Sequence, residues 1–130
     1  MTGKSLIDLV AEARARIREI TPTELYKWIA DKPDLLIVDV REPDEFARGH
    51  LPNSINIPRG ILETSADLVY QKKHPILHKA RVRTVVLYCT TGGRSAMGAD
   101  VLQEMGFAHV ANLEGGIMEW DAEDFPVVKD

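Results

Sequence analysis

Residues 84–95 read TVVLYCTTGGRS and pass from a strand pattern through two glycines into a helical pattern. The run 84–89 is largely apolar and rich in branched side chains, which is typical of a strand buried on both faces. Helical periodicity begins at Ser95 and extends to Met105. Between the two patterns lies Cys89, the single cysteine of the chain. The stretch therefore predicts a β-loop-α unit with a thiol at the carboxyl end of its strand.

Short strands and helical segments alternate along the rest of the chain. Short apolar runs predict strands at 35–40, 53–58, 84–89 and, more weakly, 108–113. Capping residues and amphipathic spacing predict helices at 6–19, 21–32, 44–47, 60–71, 95–105 and 116–120, with a loop over 71–83. This alternation indicates an α/β domain whose mostly parallel sheet is covered by helices on both faces.

Composition limits the function classes. A chain of 130 residues that is 45% apolar suits a single hydrophobic core. A net charge of -4 argues against nucleic-acid binding, and no apolar run approaches the roughly 20 residues of a membrane span. With no signal-peptide pattern at the N-terminus, we expect a soluble, cytoplasmic protein without membrane partners. A lone cysteine excludes an internal disulfide and paired-cysteine metal sites, so no metal or cofactor is predicted.

The first helical segment forms an N-terminal extension. Ser5 and Asp8 can form a capping box, and apolar residues then recur at helical spacing over 6–19. The chain is accordingly divided into an extension, 1–19, and a domain, 20–130. Because an isolated amphipathic helix is only marginally stable, its apolar stripe must pack either on this domain or on a second copy. A homodimer through this helix is therefore one of two alternatives.

The loop after Cys89 has the composition of an anion-binding turn. Ligands of parallel sheets bind beyond the carboxyl ends of the strands. If the helix begins at Ser95, the preceding backbone N–H groups have no intrahelical partner and can surround the sulfur, along a path that adjacent glycines allow. These donors and the nearby arginine favour thiolate, which predicts a pKa for Cys89 below about 8.5. Cys89 is the predicted nucleophile, and the predicted anion-binding residues are Thr90, Thr91, Gly92, Gly93 and Arg94.

The segment that carries the thiol is locally cationic. No acidic residue occurs between Leu68 and Ala99, whereas six basic residues do: Lys72, Lys73, Lys79, Arg81, Arg83 and Arg94. One interpretation is that these cations draw a small anion toward the loop. The alternative is a solvated basic face without a role in binding.

Three motifs together resemble the rhodanese (thiosulfate sulfurtransferase) family, specifically its single-domain members. They are the Cys89-x-x-x-x-Arg94 loop, the segments DVREPDEF (39–46) and GHLPNSINIP (49–58), and EGGIMEW (114–120). The resemblance extends from about residue 20 to residue 120. It implies an α/β domain with a central parallel sheet of about five strands, the first of them very short and near Ile20.

The resemblance also implies a reaction. In rhodaneses the loop cysteine takes the outer sulfur of thiosulfate or a similar donor, sulfite leaves, and a cysteine persulfide remains. A thiol, including a protein thiol, or cyanide then accepts the sulfur. Carried to this chain, Cys89 is the sulfur carrier, residues 90–93 supply N–H donors, and Arg94 shapes the loop and contacts the donor. Arg59, which follows the strand-ending Pro58, is expected at the pocket rim and on an anionic donor.

Two other functions remain alternatives. The first is a rhodanese-like protein-binding or sulfur-relay module that does not turn over small molecules. The second, a thiol phosphatase, is disfavoured because the family's related phosphatases have a loop one residue longer. Asp39, Arg41 and Glu45 are expected to form an ion-pair framework rather than to take part in catalysis.

Overall fold

The computed structural model describes residues 3–129, which form five strands and six α-helices. In chain order these are α1 (Leu6–Arg16), β1 (Arg18–Ile20), α2 (Pro22–Asp31), β2 (Leu36–Asp39), α3 (Pro43–Arg48), β3 (Ser54–Asn56), α4 (Leu62–Ala66), β4 (Thr84–Tyr88), α5 (Gly93–Glu104), β5 (His109–Leu113) and α6 (Gly116–Ala122). Short 3-10 turns occur at Arg59–Ile61 and Leu77–Lys79. Within 3–129, no helix has both the length and the apolar character that crossing a membrane requires.

The five strands form one parallel sheet in the order β1-β5-β4-β2-β3. β4 is the central strand and pairs with β2 and β5 on its two sides. This architecture confirms the predicted α/β class and the sheet of about five strands. Because the sheet is parallel, the loops after β2, β4 and β5 meet at one edge. The thiol loop is the central one of these three.

Two hydrophobic cores lie on opposite faces of the sheet. Alternate residues of β4 face opposite sides, with Val85 and Leu87 in one core and Val86 and Tyr88 in the other. The first core is completed by apolar residues of α4 and α5, and the second by residues of α2 and α6, including Trp120. Both faces are therefore covered, as the apolar strand patterns predict.

α1 packs against α5 of its own chain. Arg16 binds both carboxylate oxygens of Asp100 at distances of 2.7 to 3.1 Å, and Ala13 is buried. The start of the helix is less covered, since Leu6 is 66% exposed and Ile7 is 80% exposed. Part of the apolar stripe thus packs on this domain. That a second copy of the chain packs on the exposed part of the stripe stays a prediction.

The predicted helix over 6–19 is wrong beyond Arg16. Residues 18–20 form β1, in which Arg18 pairs with Ala111 and Ile20 with Leu113. Apolar residues in this segment fit helical spacing, but backbone pairing with β5 determines the conformation. β1 therefore spans the predicted boundary between the N-terminal extension, 1–19, and the domain, 20–130.

Two other helix boundaries also differ from the prediction. The helix predicted over 60–71 ends at Ala66, because the Asp67 carboxylate accepts the N–H groups of Val69 and Tyr70 and turns the chain. α5 begins at Gly93 rather than at Ser95, with Gly92 as its N-cap residue. The loop between Cys89 and α5 is therefore shorter than the sequence pattern indicates.

Candidate active site

Cys89 follows β4 directly, and its side chain is 2% exposed. The sulfur lies at the edge of the core that contains α5, and it accepts hydrogen bonds from two donors. The Gly92 N–H is 3.2 Å from Cys89 Sγ, and the Ser95 hydroxyl is 3.4 Å away. Both donors favour the negatively charged form of the sulfur. The thiol is thus surrounded by polar groups on its loop side.

The loop presents further donors around the sulfur. Within residues 3–129, the N–H groups of Thr90, Thr91, Gly93 and Arg94 donate to no other protein atom. Gly92 has φ of 102°, a left-handed conformation that favours glycine and turns its own N–H toward Cys89. A short loop with several uncommitted N–H groups is suited to binding an anion.

α6 supports the loop through backbone hydrogen bonds. The N–H of Ile117 donates to the Cys89 carbonyl at 2.9 Å, and the N–H of Met118 donates to the Thr90 carbonyl at 3.1 Å. This close approach depends on Gly116, which has φ of 61°. A Cβ atom at that position would lie 2.5 Å from the Cys89 carbonyl oxygen. The EGGIMEW motif therefore positions the thiol loop.

Arg94 connects the loop to α3. Its two terminal nitrogens donate to the two carboxylate oxygens of Glu45 at 3.0 and 3.2 Å, and one of them also donates to Thr90 Oγ1 at 3.1 Å. The hydrogen bond from Arg94 lowers the pKa of Glu45 to about 2. The same bond raises the pKa of Arg94, and the negative charge of the Glu45 carboxylate raises it further. Arg94 thus holds the shape of the loop.

Asp39 and Arg41 form a buried ion pair next to the site. The Arg41 side chain donates from Nε and Nη2 to the Asp39 carboxylate, at 2.8 to 3.1 Å, and the Arg41 backbone N–H also donates to it. Burial by itself lowers the pKa of Arg41, but hydrogen bonding and the charge of Asp39 outweigh burial and raise it. The expected framework therefore contains Asp39 and Arg41, whereas Glu45 binds Arg94 instead.

An open cleft of about 350 Å³ lies beside the loop. Thr90 lines it, and Ile117 and Met118 supply apolar surface. Its charged lining is balanced, with two arginines and two carboxylates: Arg41, Arg48, Glu45 and Asp121. A volume of this size admits a small molecule. The cleft reaches the thiol loop at Thr90, and Cys89 itself is not among the residues that line it.

The basic residues that precede β4 do not surround the thiol. Arg81 donates to the carbonyls of Met105 and His78, and Arg83 donates to the carbonyl of Asp34. Both lie before the start of β4, whereas Cys89 follows its end, six residues beyond Arg83 or roughly 20 Å at about 3.3 Å per residue. These two cations therefore do not contact the loop, because the length of the strand separates them from it.

Arg59 forms an ion pair with Glu63 at 2.8 Å. Its side chain also lies close to Gly98 on α5. A contact between Arg59 and an anionic donor stays a prediction.

Three residues that contact the loop were not predicted from the sequence as site residues. Glu45 was assigned only to a framework, although it binds Arg94 directly. Ser95, which donates to the sulfur, is the last letter of the YCTTGGRS stretch and could have been found there. Asn112 donates to the Gly92 carbonyl from β5, and no local sequence signal connects it with residues 20 positions away.

A model of the rhodanese-like domain matches residues 21–123 of this chain. The chain belongs to the rhodanese-like domain family. The resemblance carried by the Cys89-to-Arg94 loop and its flanking motifs is thereby confirmed.

Three similar proteins illustrate the range of the match. A sulfurtransferase from Allochromatium vinosum is 31% identical over 86% of this chain and 95% of its own length. A protein of unknown function from Rhodopseudomonas palustris, whose structure is solved and which is described as a possible tyrosine phosphatase, is 32% identical to this chain. The two structures superpose with a TM-score of 0.88 over 98% of this chain and 97% of that one. The polysulfide-sulfur transferase homodimer from Wolinella succinogenes is 32% identical with a TM-score of 0.71, covering 92% and 83%. Other relatives are longer, and the chain spans 65% of one and 26% of another.

Proposed function

We propose that the protein is a sulfurtransferase that moves sulfane sulfur from thiosulfate or a similar anionic donor, through a Cys89 persulfide, to a thiol or cyanide. The observation that carries this proposal is the pair of donors on Cys89 Sγ, the Gly92 N–H and the Ser95 hydroxyl. Groups that favour a thiolate also favour the negatively charged outer sulfur of a persulfide. The sulfurtransferase names of two relatives support the same reaction class.

The reaction takes place in two displacements. The Cys89 thiolate attacks the outer sulfur of thiosulfate, the sulfur–sulfur bond of the donor breaks, and sulfite leaves with that electron pair. The product is a Cys89 persulfide anion, and the N–H groups of the loop are the donors that would stabilise its charge. A thiolate or cyanide then attacks the outer persulfide sulfur and regenerates the Cys89 thiolate. No proton transfer to the protein is required, so the site needs no general base.

Thiocyanate formation from thiosulfate and cyanide tests the proposal. The wild-type protein is expected to release thiocyanate, and Cys89 is expected to gain the mass of one sulfur atom when thiosulfate is added alone. Cys89→Ser is the control and should show neither change. Absence of both turnover and mass gain in the wild type would overturn the proposal.

Comparison of the wild type with Cys89→Ser also distinguishes two other functions from sulfur transfer. Binding of a partner protein that is unchanged in Cys89→Ser, and sufficient for biological effect, would favour the binding module. Hydrolysis of an aryl phosphate that is lost in Cys89→Ser would favour a phosphatase, the activity suggested for the Rhodopseudomonas palustris relative. Four residues separate Cys89 from Arg94, and this short loop argues against phosphate as the substrate.

We also propose that a second copy covers the exposed side chains of Leu6 and Ile7 on α1. The Wolinella succinogenes relative is a homodimer, which supports such an assembly. Light scattering should give twice the chain mass of 14.5 kDa for the wild type and a monomer for Ile7→Glu. A monomeric wild type at high concentration would contradict a dimer through this helix.

A further inference from the structure

A continuous series of polar contacts connects α1 with the sulfur. Arg14 Nε lies 3.2 Å from Glu19 Oε2, and the other oxygen of Glu19 accepts a hydrogen bond from Asn112 Nδ2 at 2.9 Å. Asn112 Nδ2 also donates to the Gly92 carbonyl at 3.1 Å. The N–H of Gly92 then donates to Cys89 Sγ. The series therefore runs from the helix, through β1 and β5, to the residue that binds the thiol.

Asn112 is the central member of this series, and its orientation is fixed. The residue is fully buried, and the two hydrogens of its amide serve Glu19 and Gly92. A reversed amide would place its oxygen against a carboxylate and a carbonyl, where it has no hydrogen to accept. Its Oδ1 has no hydrogen-bond partner in the described part of the chain, which is a cost that an apolar residue would avoid. The advantage of asparagine over an apolar residue at this position is therefore the pair of N–H donors that bind Glu19 and Gly92.

α1 also contacts the loop glycines directly. A Cβ atom on Gly92 would lie 3.1 Å from Arg14 Nη2, and one on Gly93 would lie 3.6 Å from Val10 Cγ2. Arg14 and Glu19 both precede residues 21–123, which the rhodanese-like domain model matches. The segment before the matched domain therefore packs against the outer side of the thiol loop.

We propose that Asn112, oriented by Glu19 and Arg14, is a positioning residue that keeps the Gly92 N–H directed at the Cys89 sulfur. The N-terminal segment is then a part of the sulfur site rather than an appendage. The inference rests on the proposed role of Cys89 as the sulfur carrier. It adds that the reactivity of Cys89 depends on side chains outside the loop, which lie on α1, β1 and β5.

Alkylation of Cys89 by iodoacetamide tests the positioning role without a sulfur donor. At about pH 7 the rate depends on the fraction of thiolate, which the Gly92 N–H favours. Asn112→Leu is expected to lower the rate by about 10-fold, the effect of losing one hydrogen bond to a charged group. Glu19→Ala is expected to lower it by about 3- to 10-fold, since Asn112 loses one of its two acceptors. Glu19→Gln should recover most of the rate, because its amide oxygen can accept the Asn112 bond.

Asp100→Ala is the matched control for Glu19→Ala. Each variant removes a carboxylate that pairs with an arginine of α1, but within residues 3–129 the hydrogen bonds of the Asp100 carboxylate go to Arg16 and not to the thiol loop. The control should alkylate within about 2-fold of the wild-type rate, since it leaves the bond to Gly92 in place. The Gly92 amide proton resonance should shift in Asn112→Leu and Glu19→Ala and stay unchanged in Asp100→Ala. In Asn112→Leu and Glu19→Ala, the kcat for thiosulfate should fall by a larger factor than the KM rises.

Equal losses of alkylation rate in Glu19→Ala and Asp100→Ala would overturn the proposal, because a general loosening of α1 would then explain both. Wild-type rates in Asn112→Leu and Glu19→Ala would overturn it as well. If Asn112→Leu fails to fold, the comparison of Glu19→Ala, Glu19→Gln and Asp100→Ala decides alone. A wild-type protein without sulfurtransferase activity would contradict the proposed function, and alkylation would still measure the positioning role.

Discussion

Arg94 and Glu45 form a bidentate ion pair at the candidate site, in which Nη1 donates to Oε1 and Nη2 donates to Oε2. The pair connects the start of α5 to α3, which are 49 residues apart in sequence. A bidentate pair fixes the direction of the arginine plane as well as its distance. The loop between Cys89 and Arg94 is therefore held at its two ends by different elements, β4 and α3.

Glu45→Gln is expected to reduce stability by an amount that depends on pH. The pKa of Glu45 is lowered from 4.5 to about 2, so the folded state binds a proton less readily than the unfolded state. The resulting stabilisation is complete above about pH 4.5 and is lost as pH falls toward 2. We expect a loss of about 1–2 kcal/mol at pH 7 in urea unfolding, after allowance for solvent screening, and a smaller loss at pH 3. Asp44→Asn, which neutralises an exposed carboxylate on α3, is the control; equal losses for Glu45→Gln at both pH values would contradict the assignment.

Arg94→Lys is expected to impair sulfur transfer while the protein remains folded. A lysine cannot bind both oxygens of Glu45 and Thr90 Oγ1 in the geometry of the guanidinium. We expect kcat/KM for thiosulfate to fall by about 10- to 100-fold, which corresponds to one or two charge-assisted hydrogen bonds. Arg16→Lys disrupts a bidentate pair of the same kind on α1 and should leave kcat/KM within about 2-fold. Equal effects of the two substitutions would show that the loss is not specific to the loop.

Asp39→Asn is expected to be among the most destabilising single changes in the protein. It removes the negative charge that pairs with the buried Arg41 guanidinium, and it replaces one of the two accepting carboxylate oxygens with an NH2 group that cannot accept a hydrogen bond. Breaking a buried ion pair on one side costs about 3–5 kcal/mol, because the other charge stays desolvated. Urea unfolding should show this loss, and Asp39→Asn combined with Arg41→Met should recover part of it. A loss below about 1 kcal/mol would indicate that water reaches the pair.

The sequence contains enough local information to predict the sheet and the thiol loop. The apolar run before Cys89 predicts a buried strand, and the two glycines after it predict a tight turn. Both features can be predicted locally, because they depend on neighbouring residues. β1 could not be predicted from its own residues, because Arg18 becomes part of a strand only through pairing with Ala111. A three-residue strand has too few side chains for a period to be recognised.

The same limit applies to the site. Cys89 and Arg94 lie on one loop, so their proximity follows from the sequence. Glu45 and Asn112 contact that loop from α3 and β5, and only the topology of the sheet brings them there. The basic residues before β4 illustrate the reverse case. They are close to Cys89 in sequence, but the extended strand between them and Cys89 places them at its opposite end.

Gly116→Ala is expected to lower both stability and sulfur transfer. Gly116 has a left-handed conformation, and a Cβ atom there would overlap the carbonyls of Cys89 and Thr90, which α6 holds by backbone hydrogen bonds. An alanine must therefore displace α6 from the loop or shift the loop that carries the thiol. We expect a loss of about 2–4 kcal/mol in urea unfolding, together with a reduced rate of thiocyanate formation by the folded fraction. Gly60→Ala is the matched control, since nothing lies within 4 Å of its Cβ position, and it should change stability by less than about 1 kcal/mol. Equal unfolding midpoints for the two variants would mean that α6 does not hold the loop, and the sulfur would then depend on the contacts of Gly92 and Ser95 alone.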